Sequence, residues 1–360
     1  MADTIAPEER PDPAIEPPGP GEAVRHATRR EDGITLAITA WLIGGIFLDG
    51  YAHAYVIDTQ TEDFFTPWHA IFYAAFTVLA VWIGVVGWRR QRPGPLLDWF
   101  PPGYRLSVVG LGVFAVGGVG DGIWHTVFGV EVGIDALLSP THLILFVGGV
   151  LLLWTPVRSA SARGDRSPWI AIGTTTLATA FLVFFIQYMW VVNDTWWPQQ
   201  FFDADTGNGT WNVSAFLAGT VATVAVLVGP LLMIAARWRL PFGAATLVWT
   251  TAAVLESLAF SRSETDVIVC FAGGLVFDVL HRVLPEQTAL PIAAAAGPAA
   301  GWSVYFVLAA ADEPIRWPPE IWGGAVVLSG FVGLGLWLIQ RSGSSAAARL
   351  GNEAEEPARA

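Results

Sequence analysis

The 360-residue sequence contains no lysine and one cysteine, and only 14% of its residues are charged. The single cysteine, Cys270, allows neither a disulfide nor a cysteine-based metal site within one chain. A net charge of −12 argues against nucleic-acid binding, which needs a basic surface. Because 53% of the residues are hydrophobic, this composition is instead typical of an integral membrane protein.

Apolar runs long enough to cross a bilayer recur through most of the chain. The sequence therefore predicts an all-α fold, a polytopic integral membrane helix bundle in contact with the lipid bilayer. A single transmembrane domain is expected over residues 33–340, between disordered tails at 1–32 (acidic and proline-rich) and 341–360. About ten transmembrane helices are predicted, at residues 34–57, 64–88, 106–130, 138–157, 169–192, 211–236, 244–260, 265–284, 288–311 and 320–340.

Arginines concentrate in alternate loops between these predicted helices. One set of loops and the two tails contain Arg25, Arg29, Arg30, Arg89, Arg90, Arg92, Arg105, Arg158, Arg163, Arg166, Arg237, Arg239 and Arg341. The other loops contain only Arg262 and Arg316. The positive-inside rule then predicts a multi-pass protein of the plasma membrane with both termini in the cytoplasm. Because both termini then lie on the same side of the membrane, the number of spans must be even, which agrees with ten.

Two copies of one motif contain four of the six histidines. In the first copy, Asp49 precedes His53 by four positions, and a Thr-Pro-Trp sequence then leads to His69. In the second copy, Asp121 precedes His125, and a Ser-Pro-Thr sequence leads to His142. The copies predict an internal repeat of the first two helical hairpins, within residues 33–157. Additional helices follow at 169–340.

The spacing within each copy predicts that three side chains converge. Asp49 and His53 are four residues apart, so they share one face of a helix. Thr66 and Pro67 form a helix start, with threonine as the N-cap and proline at the first helical position. His69 then lies in the opening turn of the second helix, near the outer membrane face. The same reasoning applies to the second copy.

One carboxylate and two imidazoles suit a divalent first-row metal, with copper, zinc and iron as candidates. Three protein ligands leave a position open for water, oxygen or substrate. Nearby acidic residues are candidates to orient a ligand's ring nitrogen; these are Glu62, Asp63, Glu131 and Asp135. The alternative is that each Asp–His pair only holds two helices together by a hydrogen bond. The presence of a third histidine in both copies favours metal binding.

The motif resembles a known family at this point. Residues 61–73, TEDFFTPWHAIFY, together with the preceding His53, resemble the metal-binding stretch of the C subunit of particulate methane and ammonia monooxygenases. The second stretch, WHTVF at 124–128 with Glu131 and SPTH at 139–142, is similar to that subunit's second histidine segment. In that segment of the C subunit, an asparagine occupies the position that corresponds to Asp121 here. The resemblance covers about residues 45–150.

The resemblance implies copper ligation by the residues of both copies: Asp49, His53 and His69 in one site, and Asp121, His125 and His142 in the other. It also implies a small apolar substrate or ammonia, and other membrane monooxygenase subunits or further copies of the chain as partners. The chain departs from the family in other respects as well, since the gap between the two histidines is a little longer here. The family's C subunit has fewer spans, and it works beside a subunit with a soluble copper-binding domain that has no counterpart here.

Four functional classes follow from these residues. The first is a copper-dependent membrane monooxygenase, or a subunit of one. The second is a copper or zinc storage or transport protein, although the first four predicted spans contain no obvious polar relay toward the cytoplasmic side, which weighs against transport. The third is a zinc-dependent membrane hydrolase, for which one site and a general base would suffice. A purely structural protein is fourth, because it leaves two costly sets of ionisable residues in the membrane unexplained.

For the enzymatic alternative, the second site provides the candidate catalytic residues, Asp121, His125 and His142. Trp124 and Phe128 flank the first histidine of this site, and Phe146 lies one turn beyond the second, so apolar walls are expected there. The first site adjoins the acidic loop 58–63 and is expected to take up or hold metal.

Overall fold

A computed structural model describes residues 26–56, 66–129, 133–203, 205–260 and 264–355 of the chain, with side chains as far as residue 343. The described residues are predominantly helical and form no β-strand. The α-helices are α1 (Arg29–Tyr55), α2 (Pro67–Trp88), α3 (Arg105–Phe128), α4 (Ile134–Leu138), α5 (Pro140–Leu153), α6 (Thr155–Ala162), α7 (Trp169–Phe185), α8 (Thr210–Ala235), α9 (Ala244–Phe260), α10 (Thr265–Val283), α11 (Glu286–Asp312) and α12 (Pro319–Glu355).

Within the described ranges, seven helical segments are long and apolar enough to cross a membrane. They are α1, α2, α3, α5 together with α6, α8, α11 and the first 25 residues of α12. The other three predicted runs also form helices, but α7 and α9 have only 17 residues each, and α10 contains three charged residues. The chain is thus a helical bundle of the kind that spans a membrane several times. Ten spans remain a prediction.

The first helix begins before its predicted start at 34. Thr28 caps it, because its side chain accepts a hydrogen bond from the backbone N–H of Glu31, whose carboxylate accepts one from the backbone N–H of Thr28. Residues 29–32 therefore belong to α1, and the prediction that the tail extends to residue 32 is wrong for these four. Residues 1–25 lie outside the described part of the chain.

Three other boundaries differ from the predicted ones. The run 138–157 is divided at Trp154, where α5 ends and α6 begins with a proline in its first turn. The run 169–192 is α-helical only to Phe185 and continues as a 3₁₀ turn at Gln187–Met189. The last helix extends to Glu355, so the boundary predicted at 340 lies inside it. Alanine, leucine and glutamate in that segment favour a helix.

The helices pack around two clusters of buried apolar side chains. The smaller cluster, among α1, α2, α3 and α5, includes Leu42, Phe72, Leu79, Phe114 and Leu145. The larger cluster involves α1 and the helices from α5 onward and includes Phe47, Phe181, Phe216, Trp249 and Tyr305. Helix α1 contributes to both and thereby joins the motif-bearing hairpins to the remaining helices.

A network of ion pairs ties α1 to its neighbours at its N-terminal end. The carboxylate of Asp32, which is fully buried, lies 2.8 Å from Arg163 and accepts a hydrogen bond of 3.0 Å from the hydroxyl of Tyr104. Glu31 pairs with Arg90 at 2.7 Å. Because Asp32 and Asp49 are 17 residues apart on α1, the network lies about 25 Å along the helix from the first motif copy.

We expect Arg163→Ala to lower the free energy of unfolding by about 3 kcal/mol, because it leaves the buried Asp32 carboxylate without its cation. The matched control is Arg239→Ala, since Arg239 pairs with Glu286 at an exposed position. An exposed pair contributes less than about 1 kcal/mol. Thermal unfolding of the detergent-solubilised protein, followed by tryptophan fluorescence, measures both variants. Equal shifts in their midpoints would contradict the prediction.

Candidate metal centre

The first motif copy comes together where α1 ends and α2 begins. The side chain of Thr66 accepts a 3.1 Å hydrogen bond from the backbone N–H of His69, and Pro67 opens the helix, as predicted. Asp49 Oδ2 lies 3.7 Å from His53 Nε2 and 3.6 Å from His69 Nε2. The predicted convergence of these three side chains is therefore present.

The second copy comes together between α3 and α5 in the same way. Both His125 Nε2 and His142 Nε2 lie 3.5 Å from Asp121 Oδ1. Ser139 caps α5 through the backbone N–H of His142, in the position that Thr66 has in α2. The short helix α4 precedes this cap.

Both sets of donor atoms have a spacing that fits a metal ion. Within each set, the nitrogen and oxygen donors lie within 4.8 Å of one another. A tetrahedral ion bound at about 2.0 Å holds its ligand atoms about 3.3 Å apart. The nitrogen–oxygen distances of 3.5 to 3.7 Å are close to that value. They are longer than the usual hydrogen bond of about 2.9 Å.

Neighbouring groups orient the histidines of the second site. His142 Nδ1 is 2.6 Å from the Ser139 hydroxyl, and His125 Nδ1 is 3.2 Å from the carbonyl oxygen of Gly129. Thr141 donates a 3.1 Å hydrogen bond to Asp121 Oδ1. These contacts leave each Nε2 facing the carboxylate, which is the arrangement expected of oriented metal ligands.

Of the four acidic partners predicted from the sequence, only Asp135 lies in the described part of the chain. Among the described residues, a serine hydroxyl and a backbone carbonyl contact the two imidazoles of the second site. The side chain of Asp135 is exposed in α4. Glu62, Asp63 and Glu131 lie outside the described residues. Ser139 could have been found from the motif, because a capping hydroxyl three residues before a histidine reaches both its backbone and its ring.

The two sites adjoin, which their separation in sequence does not show. The rings of His69 and His125 are 6.2 Å apart between centroids. One cavity of about 490 Å³ is lined by Asp49, His53 and His69 from the first set and by His125 and His142 from the second. The geometry therefore describes one centre with room for two ions.

Aromatic residues from helices outside the two motif-bearing hairpins form the apolar wall of this cavity. Phe184 and Phe185 of α7 and Phe260 of α9 line it. A Cβ atom on Gly50 would lie 2.7 Å from the Phe184 ring and 3.1 Å from the Phe260 ring, so the glycine lets both rings close over the first site. The Tyr55 hydroxyl donates a hydrogen bond to the Phe260 carbonyl and ties α1 to α9.

The prediction that Trp124 and Phe128 form this wall is wrong, because neither residue lines the cavity. Their rings contact each other at 4.5 Å, and Phe128 is 68% exposed. Phe146 does reach the wall, because its ring lies 4.9 Å from that of Phe185. One feature of the sequence could have indicated the observed wall. The motif has a glycine after its aspartate, Gly50, and the missing side chain leaves space for the two phenylalanine rings.

The carboxylates differ in burial. The side chain of Asp121 is 1% exposed and that of Asp49 is 15% exposed. A buried carboxylate is costly unless a positive charge or hydrogen bonds compensate it. A bound cation would provide that charge between Asp121 and its two imidazoles, which favours metal binding over a purely structural role.

Comparison with protein-family models, with curated proteins and with solved structures found no match to this chain. The residues of the candidate metal centre and their geometry therefore carry the functional argument.

Proposed function

We propose that this chain is an integral membrane copper-binding protein, and that it is a copper membrane monooxygenase or a subunit of one. The observation that carries the proposal is a pair of Asp-His-His sets that share one partly apolar cavity. The resemblance over residues 45–150 supports copper over zinc or iron. A small apolar molecule or ammonia is the proposed substrate, and other monooxygenase subunits or further copies of the chain are the proposed partners.

In this proposal, the residues of the centre have different roles. Bound copper would supply the electron-transfer and oxygen chemistry that amino-acid side chains lack. Asp121, His125 and His142 would hold the ion at the catalytic site, and Ser139 keeps one imidazole in the binding orientation. The phenylalanines of α7 and α9 would keep water out on their side of the cavity, which would strengthen electrostatic interactions there.

A membrane copper store is the second candidate. The side chains of His53 and His142 are each 24% exposed, so an ion can reach either set without passing through the most buried part of the centre. A store would bind the same metal without turnover. Loss of activity in a ligand variant therefore separates the two functions, whereas metal content alone does not.

Metal analysis of the purified protein tests the proposed centre. We expect up to two copper ions per chain, because two donor sets are present. The variant with both His53→Ala and His69→Ala should lose about half of the copper, since removing ligands from one set leaves the other intact. Adding His125→Ala and His142→Ala should remove the rest. Mass spectrometry of the metals also distinguishes copper from zinc and iron.

His281→Ala is the matched control, because His281 lies in α10 and belongs to neither donor set. It should leave the copper content unchanged. An unchanged content in the variant lacking all four motif histidines would refute the metal centre.

The orientation is part of the proposal: both termini face the cytoplasm and the metal centre lies toward the outer face. Cysteine substitution at Asp135, beside the cavity, and at Ser161, at the end of α6, tests it. We expect an impermeant thiol reagent applied to intact cells to label the first position only. The native Cys270 is buried and should give little background. If the reagent labels only the Ser161→Cys variant, the proposed orientation is wrong and the termini face outward.

A further inference from the structure

A second opening lies on the lipid-facing surface between α2 and α3. This groove has a volume of about 570 Å³. Its α3 side includes Val119, Ile123 and Val127, each more than 60% exposed, and its α2 side includes Tyr73 and Phe76. Apolar residues this exposed on a long apolar helix face the acyl chains of the bilayer.

The two threonine hydroxyls of the groove are hydrogen-bonded within the protein. The Thr77 hydroxyl donates a 2.8 Å hydrogen bond to the carbonyl of Tyr73, and the Thr126 hydroxyl donates a 2.7 Å bond to the carbonyl of Gly122. The other lining residues are mostly apolar, and none of them is charged. The chemistry of the groove fits a small, uncharged, apolar molecule dissolved in the bilayer.

Tyr73 lies between this groove and the metal centre. It is one helical turn beyond His69 on α2, and the two rings are 6.3 Å apart. Its own ring lines the groove, while the ring of His69 lines the cavity. On the opposite side, Gly118 of α3 lets the tyrosine ring approach closely. A Cβ atom there would lie 2.9 Å from the ring and 3.1 Å from its hydroxyl.

We propose that Tyr73 is a specificity-determining residue. It separates the lipid-open groove from the metal cavity and sets the size of the apolar molecule that passes between them. This inference rests on the proposed function, because it needs a metal ion in the cavity as the destination. The ring, and not the hydroxyl, forms the partition, since the ring fills the space between Gly118 and His69.

The test measures how fast uncharged ligands of two sizes reach the metal. Protein in lipid nanodiscs is loaded with Cu(I), and the binding of carbon monoxide and of tert-butyl isocyanide is followed by infrared spectroscopy. In Tyr73→Ala we expect the isocyanide to bind about tenfold faster than in the wild type, whereas carbon monoxide should change by less than about twofold. Tyr73→Phe should match the wild type for both ligands.

Phe331→Ala is the control, because Phe331 lines a separate apolar groove between α11 and α12. It should alter neither rate. If Tyr73→Ala does not fold, Tyr73→Leu should show the same preference for the larger ligand to a smaller degree. If the isocyanide binds at the same rate in the wild type and in the folded Tyr73 variant, the inference about Tyr73 is wrong, and the proposed function is unaffected. A wild-type protein that holds no copper would instead refute the proposed function and this inference with it.

Discussion

Oxygen-dependent turnover should fall at least about 100-fold when His125 is replaced by alanine. Loss of a residue that only orients a metal ligand already costs about 10- to 100-fold in metal affinity or activity. His125 is closer to the centre than such a residue, because its Nε2 faces Asp121 at 3.5 Å and its side chain is 4% exposed. The measurement is oxygen consumption by copper-loaded membranes supplied with short alkanes, alkenes or ammonia.

The His281→Ala variant again serves as the control and should consume oxygen at the wild-type rate. Copper content must be measured in the same membranes, because the first donor set should stay loaded when His125 is absent. Identical oxygen consumption in His125→Ala and wild-type membranes would remove the catalytic role. Copper storage would then be the better account of the same ligands.

Asp121→Asn should weaken copper binding at the second site by about 100-fold, and Asp49→Asn should weaken the first site by about tenfold. Both changes keep the shape of the side chain and remove its charge. The larger effect is expected at Asp121 because its carboxylate is almost fully buried, so water screens its attraction for the ion less. Competition with a copper chelator measures the affinities, with the histidines of the other site replaced by alanine.

The outcome at Asp121 also tests how far the family resemblance carries over. The C subunit of the monooxygenase family has asparagine at this position. If Asp121→Asn binds copper as tightly as the wild type, the negative charge is dispensable. The site would then behave like the corresponding segment of the monooxygenase C subunit, which has asparagine there. A large loss would show that this chain relies on a carboxylate where the family uses an amide.

The motif made the local parts of the centre predictable. A four-residue spacing places Asp49 and His53 on one helix face, and a threonine before a proline starts a helix, whatever the rest of the chain does. These rules depend on backbone geometry within one or two turns. They were sufficient to bring His69 to the same point as the other two residues.

The relation between the two sites was not predictable in this way. The 6.2 Å approach of His69 to His125 depends on how two hairpins pack, and no periodicity within either hairpin encodes it. The apolar wall was missed for a similar reason, since Phe184 and Phe260 come from helices without any motif. The flanking aromatics Trp124 and Phe128 were chosen because they are near in sequence, but neither of them lines the cavity.

The origin of the apolar wall limits how much of the chain can form a closed centre by itself. A polypeptide ending at residue 157 would retain all six donor residues, yet it would lack Phe184, Phe185 and Phe260. Water would then enter from that side and compete with the donor residues for the coordination positions of the proposed ions. In an assembly of separate chains, a neighbouring subunit would have to supply such a wall. Here α7 and α9 supply it within the same polypeptide.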